Sequence, residues 1–174
     1  LLRGINVGGN NILPMRELAA LLEGLGLSQV KTYIQSGNVV FQSEHQNSKE
    51  LAQTISAAIG QRYGFSPHIL LLDLPAFQAA MTANPFPEAE PEPKTLHLFF
   101  LAEIPPNPDL AILDRLKGEN EHYRLINKVF YLYTPDGIGR SKLAEKAEKA
   151  LGVAATARNW RTVSTLMSMA LEGA

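Results

Sequence analysis

Apolar positions follow two rhythms along this chain, period two and period three-to-four, and the rhythms recur twice in the same order. Residues 1–5 read as the end of a buried strand. A Gly- and Asn-rich loop covers 4–11, and Pro14 suits a first helical turn, where its missing N–H costs nothing. Leu18, Leu21, Leu22 and Leu25 then fall at helical spacing, with a stop at Gly24 or Gly26. Residues 30–35 and 38–42 alternate as strands around a tight Ser36-Gly37 turn. Ser48 stands where it can cap a helix carrying Leu51, Ile55, Ala58 and Ile59 on one face, ending near Gly64. Residues 67–72 supply a further strand and complete a βαββαβ order.

A short helix over 75–83 leads into residues 84–94, where four prolines and three glutamates keep the backbone extended and read as a linker. The order then repeats. Residues 96–101 read as a strand and 108–117 as a helix ending at Gly118. Residues 123–126 and 129–134 form a hairpin around Asn127-Lys128, a helix capped by Ser141 ends at Gly152, and 154–157 make a last strand. One more helix, 160–171, carries Val163, Leu166, Met167 and Ala170 on one face. The expected fold class is α+β: two tandem ferredoxin-like (βαββαβ) alpha–beta plait halves plus a C-terminal helix. The expected divisions are 1–83, a linker over 84–94, and 95–174.

In a plait, chain direction decides which loops are neighbours. The first-strand exit and the hairpin share one end of the sheet, which brings Arg3 and Asn6 beside Gln35, Ser36 and Asn38. In the second half the exits of strands three and four share an end, which brings Arg140, Ser141 and Lys142 beside Arg158 and Asn159. The topology therefore predicts two polar clusters. The chain opens inside an apolar run at Leu1-Leu2 without an initiator Met, so residues upstream are expected to extend the first strand.

Composition narrows the chemistry. The 174 residues are 45% apolar and 19% charged, the profile of a globular chain. No apolar run nears the ~20 residues of a membrane-spanning helix, so no membrane partner is expected. The absence of cysteine removes disulfides, thiolate nucleophiles and thiolate metal sites, and fits a reducing cytoplasm. A net charge of −1 makes the whole molecule a poor electrostatic trap for nucleic acid. Residues 137–171, however, carry six basic side chains against Glu145 and Glu148.

The segments 1–9 (LLRGINVGG), 33–41 (YIQSGNVVF), 84–87 (NPFP), 137–143 (GIGRSKL) and 156–162 (TARNWRT) give the chain a specific likeness. It resembles the family of uncharacterised bacterial proteins called domain of unknown function 1697. The resemblance implies two alpha–beta plait halves and no established activity. Where that family often has a basic residue after the Gly-Gly pair, this chain has Asn10-Asn11.

Glycines at 4, 8 and 9 match neither a dinucleotide fingerprint nor a Walker loop; the loop could offer backbone N–H groups to an anion, but a tight βα turn in which glycine supplies positive φ is the favoured reading. Ser36 has no His or acid at a motif spacing, so no catalytic residue is assigned. The histidines at 45, 68, 97 and 122 form no ligand pair, so neither metal nor cofactor is expected. The leading expectation is a binding module for a phosphate- or carboxylate-bearing small molecule near helix N-termini. Arg140 and Lys142 flank one such terminus and Arg158 and Arg161 another, where cations are otherwise disfavoured. The alternatives are an enzyme acting on a nucleotide or phosphorylated metabolite, an RNA-binding protein using Tyr33, Tyr131, Tyr133 or Trp160, and a scaffold without ligand.

Overall fold

The computed structural model describes residues 1–173. In chain order its elements are α1 (Met15–Gly24), β1 (Ser28–Tyr33), β2 (Asn38–Gln42), α2 (Ser48–Tyr63), α3 (Leu74–Thr82), β3 (Leu96–Leu101), α4 (Leu110–Leu116), β4 (His122–Ile126), β5 (Val129–Tyr133), α5 (Lys142–Leu151), β6 (Ala155–Asn159) and α6 (Trp160–Glu172). The architecture is α+β, with six helices, a two-stranded and a four-stranded antiparallel sheet, and the expected C-terminal helix among the described residues. Two compact units divide it: one holds Leu1–Phe77 with the stretch from Thr165 onward, the other Gln78–Ser164.

In the first unit α1 buries Met15, Leu18 and Leu22, and α2 buries Leu51, Ile55 and Ile59. These close over Leu2, Ile5 and Leu13 in one apolar cluster. Asn47, rather than Ser48, caps α2: its side-chain oxygen accepts from the N–H groups of Lys49 and Glu50 at 3.1 and 3.2 Å. β1 pairs with β2 from Tyr33↔Asn38 inward, so the expected strand to residue 35 stops at Tyr33 and the connection is the four residues 34–37. The buried Asn38 amide closes that turn, donating to the Tyr33 carbonyl at 3.2 Å and to Ser36 Oγ at 2.9 Å.

The strands expected over 1–5 and 67–72 are shorter than the apolar pattern implied. They meet in one antiparallel bridge, Leu2↔Ile69. Flanking it, Arg3 N–H donates to the His68 carbonyl at 2.9 Å and Leu70 N–H to the Leu1 carbonyl at 2.9 Å. On its other side Leu2 N–H donates to the Gly37 carbonyl at 2.8 Å. Residues 1–3 therefore lie as one extended segment bonded on both edges. Positive φ at Gly4 (+69°) and Asn6 (+54°) turns the chain out of the extended conformation, and Pro67 has no N–H to add.

The second unit is built on the sheet order β4-β5-β3-β6, antiparallel throughout. β3 is buried at all six positions, because both faces are covered. Phe99, Leu101, Phe130 and Leu132 pack with Leu113 of α4 and with Leu143, Ala147 and Leu151 of α5. Leu98 and Phe100 point the other way by strand alternation, as does Tyr131 opposite Leu98. Tyr131 is 1% exposed and its hydroxyl donates to the Ala80 carbonyl at 2.6 Å, so no base can stack on that ring. Within 84–94, residues Pro87–Ala89 form a 3-10 turn, with Phe86 and Ala89 buried.

Candidate functional site

β5 ends at Tyr133, and the chain turns through Gly137, whose N–H donates to the Thr134 carbonyl at 2.9 Å. Gly137 sits at φ +91°, ψ 140°, backbone that costs a residue with a Cβ dearly. A 3-10 turn, Ile138–Arg140, follows and delivers Ser141 to the start of α5. As the sequence predicted, Ser141 is the cap: its Oγ accepts from Ala144 N–H at 3.0 Å. This local path opens a cleft of about 370 Å³ floored by Phe99 and Ala157 and rimmed by Arg140, Lys142 and Glu145. Phe99, Ala157 and Ile138 were not singled out from sequence. The strand alternation that turns Phe99 and Ala157 to one face was the available signal.

The charges on this rim are unequal. Glu145 is held by Lys146 at 2.6 Å, and the hydrogen bond to that ammonium lowers its pKa. Among the described residues no side chain pairs with the Arg140 guanidinium or the Lys142 ammonium. Both are exposed, at the positive end of the α5 dipole, which disfavours each cation by roughly 0.3–1 kcal/mol.

Arg158 and Asn159 reach the expected end of the sheet but do not join this cleft. Phe99 is in register with Ala157 and Leu98 with Arg158, so Arg158 projects from the face opposite the cleft. Its Nη1 donates to the neighbouring Ala157 carbonyl at 2.8 Å, and burial pushes its pKa down to about 10. Asn159 spends its side-chain oxygen on Thr162 N–H at 2.9 Å, capping α6. Trp160, at 7% exposed, caps the core rather than offering a stacking face.

In the first unit the expected juxtaposition forms, and most of its polar groups serve the loop itself. The Asn6 amide donates to the carbonyls of Leu13 (2.9 Å) and Gln35 (2.8 Å) and accepts from Leu13 N–H (2.8 Å). Asn11 donates to the Gly4 carbonyl at 2.9 Å, and Asn38 binds Ser36. Arg3, Gln35 and Ser36 are exposed around this knot. Val7, Ile12 and Ile34 are exposed in the same two loops, and Ile34 has φ +47°, a strained value for a β-branched residue. Asn6 also has positive φ, which asparagine tolerates. Asn6→Ala removes three hydrogen bonds worth about 1 kcal/mol each and adds backbone strain. Urea unfolding is expected to show a loss of about 3 kcal/mol.

The sequence did not reveal a second cavity, about 380 Å³, in the first unit. It is lined by residues 39–43 and 70–74 and by Leu51, Leu166 and Met169, with Lys31, His45 and Asp73 among its polar members. Among the described residues no group of three His, Asp or Glu side chains stands where it could hold a metal ion. No helix among them is long and apolar enough to cross a membrane.

A model of the family described as protein of unknown function (DUF1697) matches residues 1–131. Among solved structures, the chain is similar to conserved bacterial protein SP0830 from Streptococcus pneumoniae. The identity is 26%, with 98% of this chain and 96% of that chain covered, at a TM-score of 0.68. No curated protein matches.

Proposed function

We propose, for a chain that belongs to the DUF1697 family of proteins of unknown function, that its second unit binds an anionic group, phosphate or carboxylate, at the N-terminus of α5. The observation that carries this reading is the pair Arg140 and Lys142, without a counter-charge among the described residues, on the rim of a cleft whose own acid is engaged by Lys146. Helix N–H groups and two cations attract an anion together, and binding it would relieve the dipole penalty that the cations carry. The apolar floor of Phe99 and Ala157 fits a ligand with a nonpolar body behind its charged group.

The reading takes each unit as a ferredoxin-like plait. The β4-β5-β3-β6 order supports this in the second unit, and the two-sided pairing of residues 1–3 supports it in the first. A cysteine-free chain suits a cytoplasmic small-molecule partner.

Thermal denaturation with inorganic phosphate, nucleotides, sugar phosphates and acyl carboxylates tests it. A ligand at a hundred times its Kd adds about 2.7 kcal/mol, a rise of roughly 5–10 °C. The Arg140→Glu/Lys142→Glu double variant is expected to lose that rise and keep its ligand-free Tm. A rise of equal size in the double variant rules the site out.

A further inference from the structure

Of the four aspartates in the chain, three are held. The Asp73 and Asp109 carboxylates accept from the Ala76 and Ile112 N–H groups at 2.8 and 3.0 Å, and Asp114 accepts from the Tyr123 hydroxyl at 2.6 Å. Asp136 is the exception. It is exposed, and among the described residues no donor or cation engages its carboxylate. It is also the one aspartate that precedes a glycine; Leu74, Leu110 and Arg115 follow the other three. Residues 134–137 form a β-turn closed by the Gly137 N–H bond to the Thr134 carbonyl, 2.9 Å. Pro135 at its second position, with φ not positive at Asp136, makes it type I. Thr134 at its base is buried and bonded to the Thr95 carbonyl through both its N–H (2.8 Å) and its hydroxyl (3.2 Å). A Cβ placed on Gly137 would meet nothing within 4 Å, which leaves room for the Asp136 side chain to swing toward that residue.

We propose that Asp136 is a site of spontaneous isoaspartate formation in the folded protein, and that the rearranged backbone dismantles the start of α5. The Gly137 nitrogen attacks Asp136 Cγ, a C–N bond forms, and the hydroxyl of the protonated carboxyl leaves with the amide proton as water. The product is a five-membered imide, to which water then adds back. Breaking the bond from nitrogen to Cγ restores aspartate. Breaking the bond from nitrogen to the main-chain carbonyl leaves the chain running through the side chain, with one extra methylene and a free α-carboxylate. No oxidant or cofactor enters the balance. Attack requires the Gly137 N–H to leave the Thr134 carbonyl, and a single hydrogen bond in an exposed turn opens at little cost. A glycine after the aspartate leaves its own nitrogen unshielded by a side chain. The consequence follows from the path beyond it: Gly137, at φ +91° and ψ 140°, leads into the Ile138–Arg140 turn and so into the Ser141 cap. Buried Thr134 and Ser141 fix the two ends of this path, so an inserted methylene has to displace the turn between them. The site is a property of the turn and holds whether or not the cleft takes an anion.

The test ages the full chain at neutral pH and 37 °C, folded and in urea. Trypsin cuts after Lys128 and Arg140 and releases residues 129–140, in which Asp136 is the one aspartate. Isoaspartate is read in that peptide as methyl transfer from S-adenosylmethionine by an isoaspartyl carboxyl methyltransferase. The folded chain is expected to isomerise at a rate within tenfold of the unfolded one. Asp136→Glu, whose imide needs a six-membered ring, is expected to lower the signal at least tenfold. In the isomerised protein, amide exchange at Ala144, which Ser141 Oγ now holds at 3.0 Å, is expected to quicken at least tenfold. Isomerisation more than tenfold slower in the folded chain overturns the proposal, because the Thr134 bond then protects the turn. A signal in Asp136→Glu within tenfold of the parent overturns it as well, and unchanged exchange at Ala144 overturns the link to α5.

Discussion

Gly37→Ala is expected to destabilise the first unit by about 4 kcal/mol, although it adds a single methyl group. Gly37 has φ +79°, where an L-residue costs roughly 1–2 kcal/mol. The added Cβ would stand 2.8 Å from Leu2 Cβ and 3.0 Å from both the Leu2 carbonyl oxygen and Ile5 Cδ1. Leu2 and Ile5 are 4% and 1% exposed and belong to the core, so neither has room to retreat. Overpacking of this kind adds roughly 1–3 kcal/mol. Relief by moving the turn would sacrifice the Leu2 N–H bond to the Gly37 carbonyl and pull on buried Asn38. Gly64→Ala is the control: it lies in the same unit, its φ is +78°, and its Cβ would meet nothing within 4 Å, so only the backbone cost applies. Denaturant midpoints for the two variants separate the terms. A loss at Gly37 no larger than at Gly64 would mean that residues 1–3 yield freely, against their two-sided hydrogen bonding.

The same close approach marks what the amino-acid pattern could and could not convey. Helices with one apolar stripe were legible because the stripe alone determines them: α1 lies over Leu18 and Leu22 and α2 over Leu51, Ile55 and Ile59, as the spacing predicted. Ser141 was legible as a cap because it stands alone before α5. At α2 two good cap residues are adjacent, and only the reach of the Asn47 side chain to two N–H groups decides between them. Gly37 read as a turn residue in either case, and nothing local reveals that Leu2 lies against it. Arg158 shows a different failure. Chain direction correctly put it at the sheet end used by Arg140, but its side chain is out of phase with Ala157, and strand parity sends it through the sheet. The cleft at Arg140 and the cavity of the first unit are gaps between elements distant in sequence, which composition and periodicity do not record.

Acidification is expected to remove about 3 kcal/mol from the second unit through His97 alone. His97 lies on β3, in register with Leu132 and Asn159, 7% exposed, and its Nδ1 has no hydrogen-bond partner. Burial pushes its pKa down to about 4, against a weaker opposing pull from the Thr95 backbone. The imidazole is therefore folded in as the neutral form, and the unfolded chain binds the proton more readily, near pH 6.5. Above pH 6.5 both states are neutral and the contribution is intact. Between 6.5 and about 4 the unfolded state gains a proton that the folded state refuses, and stability falls by about 1.4 kcal/mol per pH unit. Below about 4 both are protonated and the loss levels off. His97→Leu keeps the buried volume apolar and leaves no orphan nitrogen, so it is expected to flatten the profile across this window. The comparison of the two proteins cancels carboxylate titration, which begins near the lower limit of the same range. Parallel profiles from pH 7 to 4.5 would show instead that the protonated imidazole finds solvent or an acceptor without unfolding, through a local opening of the sheet at Thr95–Leu96.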